Sequence, residues 1–156
     1  MTVTDAVALA ERHRAAGRRI VLANGCFDLL HVGHVRYLED ARRLGDVLFV
    51  GINSDAAVAR LKGAGRPLMP AGERAELLAA LRAVDHVFVF DDDTADGILR
   101  AIRPDVHAKG TDYTVDSVPE RATARAVGVA TAITGDRKAH ATRDLITTIV
   151  ERFGPR

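Results

Sequence analysis

The chain has a single cysteine, Cys26, among 156 residues, and no tryptophan. One thiol cannot close an internal disulfide, so the sequence points to a reducing, cytoplasmic setting. Aromatic residues make up only 4%, a bias of composition rather than a functional sign. Neither charge dominates: 22 Lys and Arg stand against 21 Asp and Glu, a formal net charge of +1. That balance gives no sign of a protein that coats nucleic acid or a membrane surface. No apolar run approaches the roughly 18 residues that cross a bilayer. The first ten residues carry Asp5 and no basic leader, so no secretory signal is expected. What the chain does have is 47% hydrophobic residues, at a length that suits one domain with its own core.

Hydrophobic periodicity predicts alternating helices and strands. Residues 4–16 read as a helix with Val7, Leu9 and Ala10 on its apolar side, and Gly17 as its C-cap. Ile20–Ala23 and Val47–Ile52 read as buried strands, joined by a helix from Gly33 to Leu44. After the turn Asn53-Ser54-Asp55 comes a short helix to Leu61. A basic, glycine-rich loop Lys62-Gly63-Ala64-Gly65-Arg66-Pro67 follows, then a helix over Glu73–Leu81 with Leu77, Leu78 and Leu81 inward. Val87–Phe90 is a third strand, and Asp91-Asp92-Asp93-Thr94 offers caps for a helix to Ile102. Asp105–Ala108 reads as a fourth strand, residues 117–127 as a helix, Val129–Ile133 as a fifth strand and Thr142–Phe153 as a closing helix. This pattern predicts an α/β fold: a single Rossmann-like doubly wound domain with a five-stranded parallel sheet flanked by helices. Its parts are an N-terminal helix (1–17), a core (18–140) and a closing helix (141–153), with strand order left open.

The chemistry concentrates in Asn24-Gly25-Cys26-Phe27-Asp28-Leu29-Leu30-His31-Val32-Gly33-His34, where the first strand hands over to a helix. Ligands bind just outside the carboxyl ends of such strands, and a helix N-terminus attracts phosphate. His31 and His34 are three residues apart and share a helix face. Gly33 removes a side chain between them and lets a ligand approach the backbone. Imidazoles so placed donate hydrogen bonds to charge that develops on phosphate oxygens. A zinc site from Cys26, Asp28, His31 and His34 is the weaker reading, because zinc ligands usually come as two distant pairs. Cys26 has the apolar neighbours of a packing residue rather than of a nucleophile.

Further on, Lys62 and Arg66 suit a phosphate clamp on a mobile loop. Arg74 opens a helix, where an anionic partner would relieve its opposition to the helix dipole, in a phosphate-binding or a structural-network role. Asp55 suits a helix start. Lys109-Gly110-Thr111-Asp112 follows the fourth strand, where a base or a sugar would lie. The run Asp91–Asp93 resembles a metal cluster only superficially, since adjacent carboxylates do not face one point; capping and solvation explain it.

The Asn24–His34 stretch resembles the signature of the cytidylyltransferase-like nucleotidyltransferases. The likeness continues through Gly51-Ile52-Asn53-Ser54-Asp55, Arg60-Leu61-Lys62-Gly63, Arg66-Pro67, Glu73-Arg74, Val84-Asp85 and Ala108-Lys109-Gly110-Thr111-Asp112-Tyr113. Within that family the spread is most similar to the heptose 1-phosphate adenylyltransferases, which make ADP-heptose. The resemblance implies transfer of a nucleotidyl group from ATP to a sugar phosphate with release of pyrophosphate. It implies catalytic roles for His31, His34, Lys62 and Arg74. Nucleotide contacts would come from Asn24, Gly25, Cys26, Phe27, Asp28, Gly33, Lys109, Gly110, Asp112, Arg137 and Thr142, and substrate contacts from Asp55, Arg66 and Arg143. It further implies Mg²⁺ bound with the triphosphate, Asp28 as its candidate protein contact, and a homodimer, with no nucleic-acid or membrane partner. The alternatives are a CTP-dependent cytidylyltransferase acting on glycerol 3-phosphate, another alcohol phosphate or a phosphonate, and a nucleotide-binding regulatory module without turnover.

One segment departs from the relatives. Where they carry Ser-Thr-Thr before the closing helix, this chain has Ala141-Thr142-Arg143 after His140. Thr142 is left to cap the helix, and Arg143 brings a charge to which phosphate can dock. Upstream, Gly135-Asp136-Arg137-Lys138 adds two more cations. Heptose enzymes of this kind are often fused to a sugar kinase, for which 156 residues leave no room.

Overall fold

Five strands and seven helices alternate along the chain in the computed structural model, which describes residues 1–137 and 140–155. They are α1 (Val3–Ala15), β1 (Ile20–Gly25), α2 (Val32–Arg42), β2 (Val47–Asn53), α3 (Asp55–Lys62), α4 (Ala71–Ala79), β3 (His86–Phe90), α5 (Asp96–Ile102), β4 (Val106–Gly110), α6 (Arg121–Ala126), β5 (Ala130–Thr134) and α7 (Thr142–Phe153). All pairings are parallel, in the order β3-β2-β1-β4-β5. The chain builds outward from β1 to β3, then crosses back to lay β4 against the other side of β1. The crevice between the carboxyl ends of β1 and β4 is therefore the topological switch point, where open α/β sheets bind ligands.

Period-two alternation sorts the strand residues onto two cores. Ile20, Leu22, Val47 and Phe49 pack with Ala6 and Ala10 of α1, Ile98, Leu99 and Ile102 of α5 and Ala124 of α6. Val21, Ala23, Leu48, Val50 and Ile52 pack on the opposite face with Tyr37, Leu38 and Ala41 of α2 and Leu78 of α4. β1 and β2 are apolar along most of their length because both of their faces are covered.

Several expectations need correction. Leu77 is 41% exposed, not inward. The inward face of α4 is set by Arg74 and Leu78, four residues apart and both buried. Pattern reading counts an arginine as polar and so rotates that face. Helix α5 is not capped by the aspartate run: its N-cap is Ala95, which makes no side-chain cap. Instead Arg60 pairs with Asp93 at 2.8 Å, and the Ser54 hydroxyl donates to Asp91. Helix α6 begins only at Arg121, and the preceding segment buries Val118 and Glu120 as loop. Among the described residues no helix is long and apolar enough to cross a membrane.

Candidate active site

The loop from β1 to α2 holds two non-glycine residues in the left-handed region, Phe27 at φ 49° and Leu29 at φ 60°. Such residues cost about 1–3 kcal/mol each and persist only where their surroundings fix them. Here the fixing groups are identifiable. The Arg74 guanidinium donates to the Cys26 carbonyl at 2.6 Å, and the Thr142 hydroxyl donates to the Asp28 carbonyl at 2.7 Å. The Asp28 carboxylate accepts from Arg66 Nε (2.7 Å), the Leu68 amide (2.8 Å) and the Met69 amide (3.0 Å). Burial pushes that carboxyl up, but the Leu68, Arg66 and Met69 donors outweigh it and hold Asp28 below its ordinary range.

At the end of this loop His31 is the N-cap of α2. Its Nδ1 accepts from the Gly33 amide at 3.1 Å, while the His34 Nδ1 accepts from the His31 amide at 3.2 Å. Two histidines thus play the reciprocal parts of a capping box. With both Nδ1 atoms accepting, the neutral rings carry their protons on Nε2. The rings stack with centroids 3.8 Å apart and 23° between planes, and both residues line the pocket. Gly33 is required by contact: an added Cβ would lie 2.9 Å from His31 Cε1, so any side chain there displaces the ring.

Burial, and then the neighbouring His31, lower His34 from 6.5 to about 4. His107 of β4, fully buried, is likewise lowered to about 4, by burial and then by Lys109. Its ring pairs through Nε2 with Asn24 Oδ1 at 2.8 Å, and among the described residues its Nδ1 has no hydrogen-bond partner. Both groups resist protonation in the folded state and accept it near pH 6.5 when unfolded. The unfolded chain therefore binds more protons between pH 6.5 and 4, and stability is lost as pH falls through that window. The limit is about 1.4 kcal/mol per pH unit per group. Urea midpoints are expected to be level above pH 7 and to drop clearly by pH 5; a profile flat to pH 4.5 contradicts this.

The pocket encloses about 920 Å³ and straddles the carboxyl edge of the sheet. On the α2 side it is lined by Phe27, Asp28, His31, Gly33, His34, Thr142 and Arg143. On the other side lie Asn24, Asn53, Thr94, Lys109 and Glu120. Gly25, Cys26, Gly110, Asp112, Lys62 and Arg66 also face it. Lys62 is the last residue of α3 rather than part of the glycine-rich loop, and with Arg66 it lines the pocket.

Four expected site residues are placed elsewhere or act otherwise. Arg74 does not line the pocket: it is 1% exposed and donates to the carbonyls of Met69, Cys26 and Asn53 and to Asp55 Oδ1. It positions the loop and is not a catalytic residue. Asp55 accepts from Arg74 and from the Ala71 amide, supporting the start of α4 rather than a substrate. Thr142 is the first residue of α7 and latches that helix to Asp28; the N-cap is Ala141, so no side chain caps the helix. Arg137 is exposed and is not among the pocket's lining residues. Lys138, named with it, lies outside the described residues.

The metal expectation for Asp28 also fails. Its oxygens already accept from three donors, and its side chain is fully buried against Arg66. Among the described residues no three His, Cys, Asp or Glu side chains gather around one point. Cys26 donates to Asn53 Oδ1 at 3.7 Å. Burial pushes its thiol up, against the pull of Lys62, Arg74 and Arg66, and a protonated thiol is a poor nucleophile.

Sequence reasoning missed Glu120, Asn53, His140 and Ile146 as pocket residues. Glu120 gave no signal, because it stands in a loop and is buried only by tertiary packing. His107 could have been noticed as a lone histidine in an otherwise apolar strand.

Comparison with known proteins gives a consistent answer. The model of the cytidylyltransferase-like family matches residues 22–152. The bifunctional protein HldE of Pelobacter propionicus is 46% identical over 145 residues, covering 93% of this chain and 30% of that protein. HldE of Geobacter sulfurreducens is 46% identical over 141 residues, covering 90% and 29%. This chain thus spans about 30% of the length of these relatives. A crystal structure of the lipopolysaccharide core biosynthesis protein from Thermoplasma volcanium superposes with a TM-score of 0.63 at 28% identity, over 75% of this chain and 94% of that one. The family match runs from β1 through the histidine turn to α7, the same span that builds the pocket, and the chain belongs to the cytidylyltransferase-like family.

Proposed function

We propose that this chain transfers the adenylyl group of ATP to heptose 1-phosphate, forming ADP-heptose and pyrophosphate. The observation that carries the reading is the stacked His31–His34 pair, with both Nδ1 atoms committed to the backbone and both residues lining the switch-point pocket. The likeness to HldE over most of this chain supports it, heptose being the sugar that the sequence resemblance implies.

In this reaction an oxygen of the sugar phosphate attacks the α-phosphorus in line, and the bond from that phosphorus to the pyrophosphate oxygen breaks. No covalent enzyme intermediate is required, so catalysis rests on placement and on stabilising charge. The Nε2–H groups of His31 and His34 donate to the α-phosphate as its charge rises. A neutral His34 at neutral pH is suited to this, since it donates at Nε2 without needing a proton from solvent. Lys62 closes over the pyrophosphate or the acceptor phosphate. Arg66, tied to Asp28, anchors the loop between α3 and α4 to the β1–α2 turn. The first turn of α7, which no side chain caps and which includes Arg143, offers amides and a positive charge to a phosphate. Mg²⁺ bound to the triphosphate would supply neutralisation of its charge.

A matrix of ATP and CTP against heptose 1-phosphate, hexose 1-phosphates and glycerol 3-phosphate, read as pyrophosphate release with Mg²⁺ present, tests the reading. Turnover is expected with ATP and heptose 1-phosphate. Turnover with CTP alone contradicts the nucleotide assignment, and nucleotide binding with no turnover in any combination contradicts the enzyme.

A further inference from the structure

Two charged side chains are buried on the far side of the sheet edge from the histidines, and the phosphate chemistry above leaves both unused. Lys109 is the fourth residue of β4 and is 7% exposed; Glu120 stands in the loop before α6 and is 3% exposed. Their facing atoms, Lys109 Nζ and Glu120 Oε2, are 3.7 Å apart, an ion pair longer than a hydrogen bond. Glu120 Oε1 is committed, accepting from the Ala95 amide at 3.0 Å. Glu120 Oε2 is buried and, among the described residues, has no hydrogen-bond partner. The Lys109 ammonium also lies 4.8 Å from the centre of the Tyr113 ring. Both residues line the pocket.

A buried carboxylate oxygen without a donor is costly, and in a residue that lines a binding pocket it calls for a ligand that supplies one. The donor cannot belong to a phosphate, whose oxygens the carboxylate repels. A carboxylate beside an ammonium offers an acceptor and a donor a few ångströms apart, which matches a hydroxyl pair on adjacent carbons. The remaining lining separates the substrates' parts. On the α7 side, Ile146, Ala141 and Gly135 give the apolar and backbone surface that a flat base needs, whereas Thr94, Asn24 and Asn53 accompany Lys109 and Glu120.

We propose that Glu120 and Lys109 form the subsite that holds adjacent hydroxyls of the acceptor sugar, with Glu120 Oε2 accepting from one hydroxyl and Lys109 Nζ donating to its neighbour. Glu120 is thereby a specificity residue for a polyhydroxylated acceptor, and Oε1 locks it in place through α5. This rests on the nucleotidyl-transfer reading for the identity of the acceptor, and on the geometry alone for the existence of the subsite.

Glu120→Gln keeps an oxygen for the Ala95 amide and replaces the accepting atom by a donor. KM and calorimetric Kd for heptose 1-phosphate are expected to rise about 10- to 100-fold, with those for ATP within twofold. The wild-type protein supplies a second arm that needs no variant. A deoxy sugar phosphate lacking the contacted hydroxyl is expected to bind about 10- to 100-fold more weakly than its parent. A parallel rise for ATP in the variant, matched by weaker wild-type binding of 2′- or 3′-deoxy-ATP, relocates the diol to the ribose and overturns the acceptor assignment. Unchanged affinities for both substrates, or deoxy acceptors that all bind like their parents, overturn the subsite. Absent turnover in the wild type refutes the activity by itself; the two affinities and the deoxy series still decide the subsite.

Discussion

Replacing His34 by alanine is expected to lower kcat by about 10²- to 10³-fold, the range seen when one preorganised donor to a developing charge is removed. His31→Ala is expected to fall in the same range, and the double variant to cost less than the product of the two, since the rings stack and share one phosphate. Two further variants separate rate from folding. His34→Asn puts a side-chain oxygen near the place of Nδ1, so it retains the acceptor for the His31 amide but has nothing at the position of Nε2. His34→Gln reaches that position with an amide N–H. Asparagine is therefore expected to restore the thermal midpoint without the rate, and glutamine to recover part of the rate. Steady-state pyrophosphate release and thermal unfolding check both statements. Alanine variants with full kcat contradict the role assigned to the pair.

Arg74→Ala is expected to give the largest loss of stability from a single side chain. The guanidinium is 1% exposed and satisfies three backbone carbonyls and the Asp55 carboxylate. These acceptors lie just past β1, at the end of β2, at the start of α3 and just before α4, so one side chain joins four elements beneath the pocket. Removing this buried guanidinium costs about 3–5 kcal/mol, because the carbonyls of Cys26, Asn53 and Met69 lose their donor while the half-exposed Asp55 carboxylate returns to water. For a chain of this length the thermal midpoint is expected to fall by about 10 °C or more. Arg74→Lys keeps the charge but cannot span the same acceptors, and is expected to recover only part of the loss. The left-handed residues Phe27 and Leu29 relax once the Cys26 carbonyl is released, so kcat falls as well, even at a temperature where the variant is folded. Urea denaturation beside kinetics at low temperature reads both effects. An Arg74→Ala protein of wild-type stability with collapsed activity would show that the side chain touches substrate after all.

The histidine turn was legible in the sequence because its chemistry is local: a strand, a short loop and a helix start supply nearly every group that orients His31 and His34. The five strands were legible because β1 and β2 are buried on both faces and β3 to β5 are short runs between clear breaks. Residues whose role depends on contacts distant along the chain were not legible. Arg74 is expected from the sequence to serve a phosphate or a structural network, with Asp55 as a candidate contact; that contact is formed at 2.7 Å, but only the fold shows the carbonyls of Cys26 and Asn53 converging on the same guanidinium. Asp28 looked available to a metal until the 66–69 segment folded back and filled both oxygens. Glu120 carried no periodic or motif signal, since its burial comes from α5 and β4 meeting over a loop.

The transfer itself is tested most directly by following the two ends of the triphosphate. With heptose 1-phosphate, Mg²⁺ and ATP labelled at the α-phosphate, the label is expected to appear in the sugar nucleotide; with ATP labelled at the γ-phosphate, in pyrophosphate. Label from the γ-position in the sugar, or α-label confined to AMP or ADP, would contradict nucleotidyl transfer at the His31–His34 site.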